Sequence, residues 1–455
     1  MLPNTIARAP GSLPLLGHAR QLTRDPLGFL ESQRALGPLV RVNLGPTPAY
    51  VLNDPELVQR VLVRDAGSFD KGRLFEKLRD WLGEGLFNSE GATHRARRRM
   101  MQPAFHHREI TRYCRVMAEE AERVSAGWHD GQIVSLDEEM HELTLGIVAR
   151  ALFSAEVVRS SSREIGESLS VLLPLLARRS LSPLGALEKL PTPAKLRFDR
   201  EVVRIRAGIG EIIRVYRHDG SDDHADLLTM LLRADDPGAP DGLRDTHIQD
   251  EVISVMSAGT DTSAATMSWL FHELARHPEV ERKLHEELDA VLTAGPVSYE
   301  QTGKLEYTRA VVSETLRMDC PIWITMRRAT STVELGGHRL PAGTQFIISP
   351  RTLHRDPTVF PDPLRFDPLR WLAPRQPEPR QRLAYLPFGA GRRKCIGDSF
   401  AWYEMVIAVA TIARRWRLSL GARTGGRGRT SAVAKPEARP VTVHDRTKSA
   451  TTAKS

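Results

Sequence analysis

The 455-residue sequence predicts a mainly α-helical fold with a smaller β portion. Three observations carry that prediction. From Glu109 to Arg217 the pattern is mostly helical, broken at Gly127, at Gly131 and by a proline-containing stretch from Pro174 to Pro193. Leu243 to Arg276 is the longest helical pattern in the chain. Short stretches around Val40–Leu52 and Val333–Ser349 read as strands. No linker divides the chain, so one domain over residues 1–455 is expected, with disordered tails at 1–9 and from about 447 to 455.

Composition narrows the class. Hydrophobic content of 41% with 26% charged residues is ordinary for a soluble globular protein with a large core. Three cysteines, Cys114, Cys320 and Cys395, are too few and odd in number for a disulfide framework, which fits a reducing, cytoplasmic location. Prolines near the N-terminus interrupt what a signal peptide needs as an apolar core, and no apolar run approaches ~18 residues, so no membrane anchor is expected. A net charge of +8 fits either nucleic acid or an acidic docking partner. The chain has no nucleic-acid motif and no aromatic-interleaved basic run, which argues against nucleic acid.

In chain order, Pro10 to Gly17 is a rigid extended lead-in. Val40, Val42 and Leu44 alternate, Gly45-Pro46 turns, and Tyr50 to Leu52 return as a hairpin. Asp54-Pro55 caps and opens a helix to about Val63. Phe69 to Asn88 has no clean period. In the basic segment Gly91 to Phe105, His94 and Arg98 lie four residues apart and project from one helical face, whereas Arg95, Arg97 and Arg99 read as a solvated basic face. Ala234 to Gly242 is an acidic, solvent-exposed connection.

Within the longest helix, Val255, Ala258, Gly259, Thr262 and Thr266 form one stripe, with small residues where a large flat ligand would press. A threonine with a neighbouring acid, Thr262 with Asp261, can relay protons. A helical threonine also commonly bonds the carbonyl four residues back. Pro278 opens another helix to about Leu292, and Leu305 to Met318 carries Glu314 and Arg317 at a spacing that puts both on one face.

The segment Pro387 to Gly397 reads PFGAGRRKCIG and runs into an apolar helical segment, Ile396 to Ile412. A cysteine at the mouth of a helix meets the positive end of its dipole, which favours the thiolate. Gly389 and Gly391 permit a tight loop, and Phe388 would shield the sulfur. Thr424 to Ala432, rich in Gly and Arg, reads as a mobile loop.

Phe388, Gly391, Arg393, Cys395 and Gly397 match the F-x-x-G-x-R-x-C-x-G signature of the cytochromes P450, and Ala258 to Thr262 and Glu314 to Arg317 match the A-G-x-D-T and E-x-x-R patterns. The chain resembles that family from Pro10 to at least Gly397. The resemblance implies the cytochrome P450 fold and a haem b whose iron takes the Cys395 thiolate, a ligand that favours O–O cleavage. It implies propionate partners at Arg98, Arg327 and Arg393, and at His94, where the family usually has tryptophan. Ala258 and Gly259 would lie against the macrocycle, with Phe388 and Gly389 in the loop beneath it. A buried network of Glu314, Arg317 and Arg365 is implied as well, although Leu364 departs from the usual glutamate.

The resemblance further implies a monooxygenase that hydroxylates an apolar small molecule using O₂, with Asp261 and Thr262 as the proton relay. Electrons would come from a ferredoxin and ferredoxin reductase, or a similar acidic donor, docking beside Arg392, Arg393 and Lys394. The segments GSLPLLGHARQLTRDPLGFL, SFDKGRLFEKL and AGTDTS resemble bacterial members that oxidise cyclic sesquiterpenes. Leu74, Phe75, Leu78, Trp81, Leu82, Ile322, Trp323 and Ile324 would then line an apolar cavity. The alternatives are a peroxide-using or isomerising enzyme on the same fold, and a non-catalytic haem sensor. Neither needs the Asp261-Thr262 pair.

Overall fold

The computed structural model describes residues 5–153, 164–169, 171–172, 192–218, 226–234, 244–375, 377–421, 429–430, 433–437 and 440–447. Most of the Pro174–Pro193 stretch, nearly all of the 234–242 connection, most of the 424–432 loop and the tail after Thr447 lie outside them.

The molecule is built around the helix Arg244–Arg276, about 50 Å long at 1.5 Å per residue. From Thr260 to Leu274 it is buried on nearly every face, Thr262 being less so, and it ends where His277-Pro278 starts the next helix, Pro278–Val291. Helix Leu136–Leu152 packs along it so closely that a Cβ on Gly259 would lie 2.9 Å from Val148 Cγ2. Helix Asp398–Arg415, whose Met405 to Ala410 are all buried, packs against both His107–Ala126 and the long helix. Its first turn carries Asp398, the charge its dipole favours.

A six-stranded mixed sheet runs in the order Ala7–Arg8, Leu39–Leu44, Thr47–Leu52, Gln345–Ile348, Thr325–Ala329, Phe69–Asp70. The predicted hairpin is its second and third strands, in register Val40 with Val51 and Val42 with Ala49. Asp54 caps the following helix, Pro55–Gln59, by accepting from the N–H groups of Glu56 and Leu57. This sheet brings Arg327 to its place, paired across to Phe346.

One expectation is corrected and one element is added. Residues 5–9 are not a disordered tail: Ala7–Arg8 pairs in parallel with Val40 and Arg41, because a free strand edge was available beside the hairpin. A short strand, Ile133–Ser135, follows Gly131 and pairs with Pro440–Asp445 from the other end of the chain, a partner no local pattern reveals. Among the described residues no helix is long and apolar enough to cross a membrane.

Candidate active site

A cavity of about 570 Å³ lies between the long helix, the Cys395 loop and the helix Arg73–Leu82. Its walls hold Ala258, Gly259, Thr262, Phe388, Gly389, Arg393 and Cys395, together with His94, Arg98 and Arg327. The eight residues from Leu74 to Ile324 expected to line an apolar cavity do line it. Asp261 does not.

The cysteine loop is shaped by backbone. Gly389 and Gly391 have φ of +69° and +70°, conformations other residues avoid, and a Cβ on Gly391 would fall 2.1 Å from the Leu62 carbonyl oxygen. Cys395 donates its N–H to the Phe388 carbonyl at 2.9 Å, closing the loop ahead of the helix. Protein crowds Cys395 on nearly all sides, yet its side chain is exposed, and that exposure is toward the cavity it lines. Burial pushes the thiol pKa up, opposed by a backbone hydrogen bond at Gly397. A metal cation at the sulfur would reverse that balance and hold the thiolate outright.

One end of the cavity is cationic. Arg327 is buried and pairs with no carboxylate among the described residues; its guanidinium donates to the Met326 carbonyl at 2.7 Å. Burial, then the nearby Arg393, pull its pKa down to about 10. His94 is pulled down to about 4, by burial first and then by Lys71, Arg393 and Arg98. Arg393 is ion-paired to Glu90, and Arg98 donates to the Lys394 carbonyl at 2.7 Å, tying its helix to the cysteine loop. Arg328, beside Arg327 in sequence, turns the other way to Asp70 and Glu76.

These groups fit a haem. A cavity with a cysteine sulfur at its wall and a buried, repelling set of cations at one end suits a macrocycle carrying two carboxylates, whose charge would relieve the repulsion. Lys71 belongs to this set and was not anticipated. It is buried, donates to the Leu86 and Phe87 carbonyls, and has its pKa lowered to about 7, mainly by burial. In sequence it looked like one basic residue in a segment without period.

Other expectations change. Arg97 is not part of a solvated face: it is buried, 3.6 Å from the fully buried Glu251. Gly259 lines the cavity, and its smallness also serves the helix packing, since a Cβ there would lie 2.9 Å from Val148 Cγ2. Thr262 donates to the Ala258 carbonyl at 2.7 Å, leaving its oxygen free to accept at the cavity wall.

The charged network also differs in one member. Glu314 and Arg317 are fully buried and doubly hydrogen-bonded, with both distances 2.8 Å. The third side chain is Arg370, whose Nε donates to Glu314 Oε1 at 2.9 Å. Arg365 is exposed and contributes its carbonyl, to which Arg317 donates. The segment PLRFDPLRW holds two P-L-R copies, and Phe366 buries so that the second copy, not the first, meets Glu314.

Comparison with known proteins agrees with this geometry. Residues 8–436 match the family model described as cytochrome P450. Cyclooctat-9-en-7-ol 5-monooxygenase of Streptomyces melanosporofaciens is 45% identical over 91% of this chain and 90% of its own length. Cyclooctatin synthase of the same organism is 42% identical over 90% of this chain and 89% of its own, and pentalenene oxygenase of Streptomyces avermitilis is 41% identical over 90% and 91%. With a family match across most of its length and a cavity whose donor and cations suit a haem, the chain belongs to the cytochrome P450 monooxygenases.

Proposed function

We propose that this enzyme hydroxylates a cyclic terpene, with Cys395 as the residue that would bind a haem iron and Thr262 as the hydroxyl that serves the dioxygen chemistry. One observation carries the substrate reading: away from its cationic end, the cavity's long-helix wall has its hydroxyl donors already engaged, and the buried side-chain polar atoms left without a partner among the described lining residues are few, Trp81 Nε1 and Glu404 Oε1. Ser254, Ser257, Thr262 and Thr266, which line the long helix's wall, each donate to a carbonyl four residues back in the same helix. The opposite roof is Leu74, Phe75, Leu78, Trp81 and Leu82. A compact hydrocarbon with few or no polar groups would bind there by burial alone, at about 25 cal/mol per Å² of apolar surface. The relatives named for cyclooctat-9-en-7-ol and pentalenene support the same class.

A haem would be held by the Cys395 thiolate and, at its carboxylates, by Arg98, Arg327, His94 and Lys71, and once bound it would supply O–O cleavage chemistry. The chain's own part is to exclude water with the apolar roof, position the substrate, and present the Thr262 oxygen as a hydrogen-bond acceptor.

Electrons come, in this reading, from a separate acidic donor such as a ferredoxin with its reductase. Arg95, Arg99 and Arg392 are exposed and pair with no carboxylate among the described residues, and they rim a recess of about 700 Å³ behind the His94, Arg98, Arg327 and Arg393 wall. Charge reversal at Arg392 would slow reduction at low salt more than at high salt.

The deciding experiment titrates the haem-loaded protein with pentalenene, other cyclic terpenes and long-chain fatty acids, then assays products with a surrogate redox chain. Terpenes alone should shift the haem spectrum and yield alcohols. Fatty-acid turnover with inert terpenes would end the terpene reading and leave the monooxygenase.

A further inference from the structure

Asp261 follows the cavity-lining Ala258 and Gly259 and precedes Thr262, yet it points elsewhere. Successive helical residues are rotated by about 100°, so the Asp261 carboxylate faces out of the cavity wall. It meets two groups from distant parts of the chain. His141 Nδ1, from helix Leu136–Leu152, lies 3.3 Å from Oδ1, and Lys435 Nζ, from the short strand Ala434–Lys435, lies 3.0 Å from the same oxygen. Burial alone would push this carboxyl up; the two neighbours outweigh it and hold the group ionised.

The exposures run in order. The Asp261 side chain is 9% exposed, His141 25% and Lys435 31%, so solvent reaches the imidazole while the carboxylate is covered. A lysine would suffice as a structural tie. The imidazole adds something a lysine at neutral pH does not: it can release a proton at one nitrogen while taking one at the other.

We propose that His141 is the outer station of the proton path, feeding solvent protons to Asp261, with Lys435 holding the carboxylate in its outward position. This rests on the reading of Asp261 and Thr262 as the relay. Per proton moved, His141 gives up the hydrogen on Nδ1 to Asp261 Oδ1 and accepts one from solvent at Nε2. Asp261, turning toward the Thr262 side, releases its proton there. The carboxylate then has its starting charge, the imidazole takes a solvent proton at Nδ1 and releases the one on Nε2 to restore its starting tautomer, and no redox change occurs at either. His141 acts through Asp261 and is therefore a positioning and supply residue, not one that meets the substrate.

The test separates proton supply from a structural tie. His141→Asn keeps a donor near the Nδ1 position but cannot pass a proton; His141→Ala removes both. In the haem-loaded enzyme with a surrogate ferredoxin chain, oxygen consumed per electron and the solvent deuterium isotope effect are measured with and without the most strongly bound terpene, and product yield is recorded alongside. Oxygen consumption does not require a terpene product, so failure of the substrate reading leaves this comparison intact. His141→Asn should slow proton-limited turnover about tenfold and enlarge the isotope effect, with unchanged thermal stability. Wild-type behaviour in His141→Asn, whatever His141→Ala does, would reduce the contact to a tie and overturn the proposal. A second readout needs no turnover. In the diamagnetic carbon monoxide complex, nitrogen NMR of labelled histidine should show the signal that His141→Asn deletes to be hydrogen-bonded at Nδ1 and shifted by Asp261→Asn. If Asp261→Asn leaves that signal unmoved, the proposal fails.

Discussion

Replacing Arg370 by methionine tests the buried charged network most directly. Glu314 accepts from Arg317 Nε and Nη2, from the Asp367 N–H, from Arg370 Nε and from Trp371 Nε1, all between 2.8 and 2.9 Å. Losing Arg370 removes one charge-assisted bond of about 1.5–3 kcal/mol, and its weaker bonds to the Pro361, Asp362 and Arg365 carbonyls at 3.2–3.5 Å. Arg317 stays doubly bonded to Glu314, so the loss should fall short of the ~3–5 kcal/mol limit for an uncompensated buried charge, at about 2–4 kcal/mol. Arg365→Ala removes an exposed side chain that has no partner among the described residues and should stay within about 0.5 kcal/mol. Thermal unfolding at one fixed scan rate should place Arg370→Met several degrees below wild type and Arg365→Ala beside it. Equal losses from both substitutions would show that Arg370 is not the third member.

Cys395→Ser should abolish the strongly red-shifted Soret band of the reduced carbon monoxide complex; retention of that band would remove Cys395 as the ligand. Arg327→Met should speed haem transfer to apomyoglobin tenfold or more, since a charge-assisted bond to a carboxylate is worth about 1.5–3 kcal/mol, and an unchanged transfer rate would dissociate Arg327 from the haem. Glu404, fully buried and bonded to Ser263, has its pKa pushed up from 4.5 to about 8 by burial. Between those values the folded state keeps a proton that the unfolded state has lost, so Glu404 costs stability as pH rises through the window, about 1.4 kcal/mol per pH unit as an upper figure. Glu404→Gln, neutral throughout, should therefore gain on wild type from pH 5 to pH 8; a stability difference that does not vary with pH would refute the assignment.

Local chemistry was legible in the residues alone. The cysteine loop is specified by glycines that must adopt positive φ within a few residues of the sulfur, and the Glu314–Arg317 pairing follows from a spacing of three on one helix. The stripe of Ala258, Gly259, Thr262 and Thr266 follows from helical period, and all four do line the cavity. What tertiary structure decided are contacts between segments far apart in the chain, which no local period encodes. Two identical P-L-R copies differ only in which one packing turns toward Glu314. Lys71 and Arg97 are buried because the sheet, the Cys395 loop and the long helix close around them, although Lys71 sits in a segment without a clean period and Arg97 in a run that reads as a solvated basic face. Gly259 packs against Val148, over a hundred residues earlier, and Asp261 faces His141 and Lys435 because the helix Leu136–Leu152 and the strand Ala434–Lys435 converge on its outer side. Period determines which side chains share a face; packing determines what that face meets.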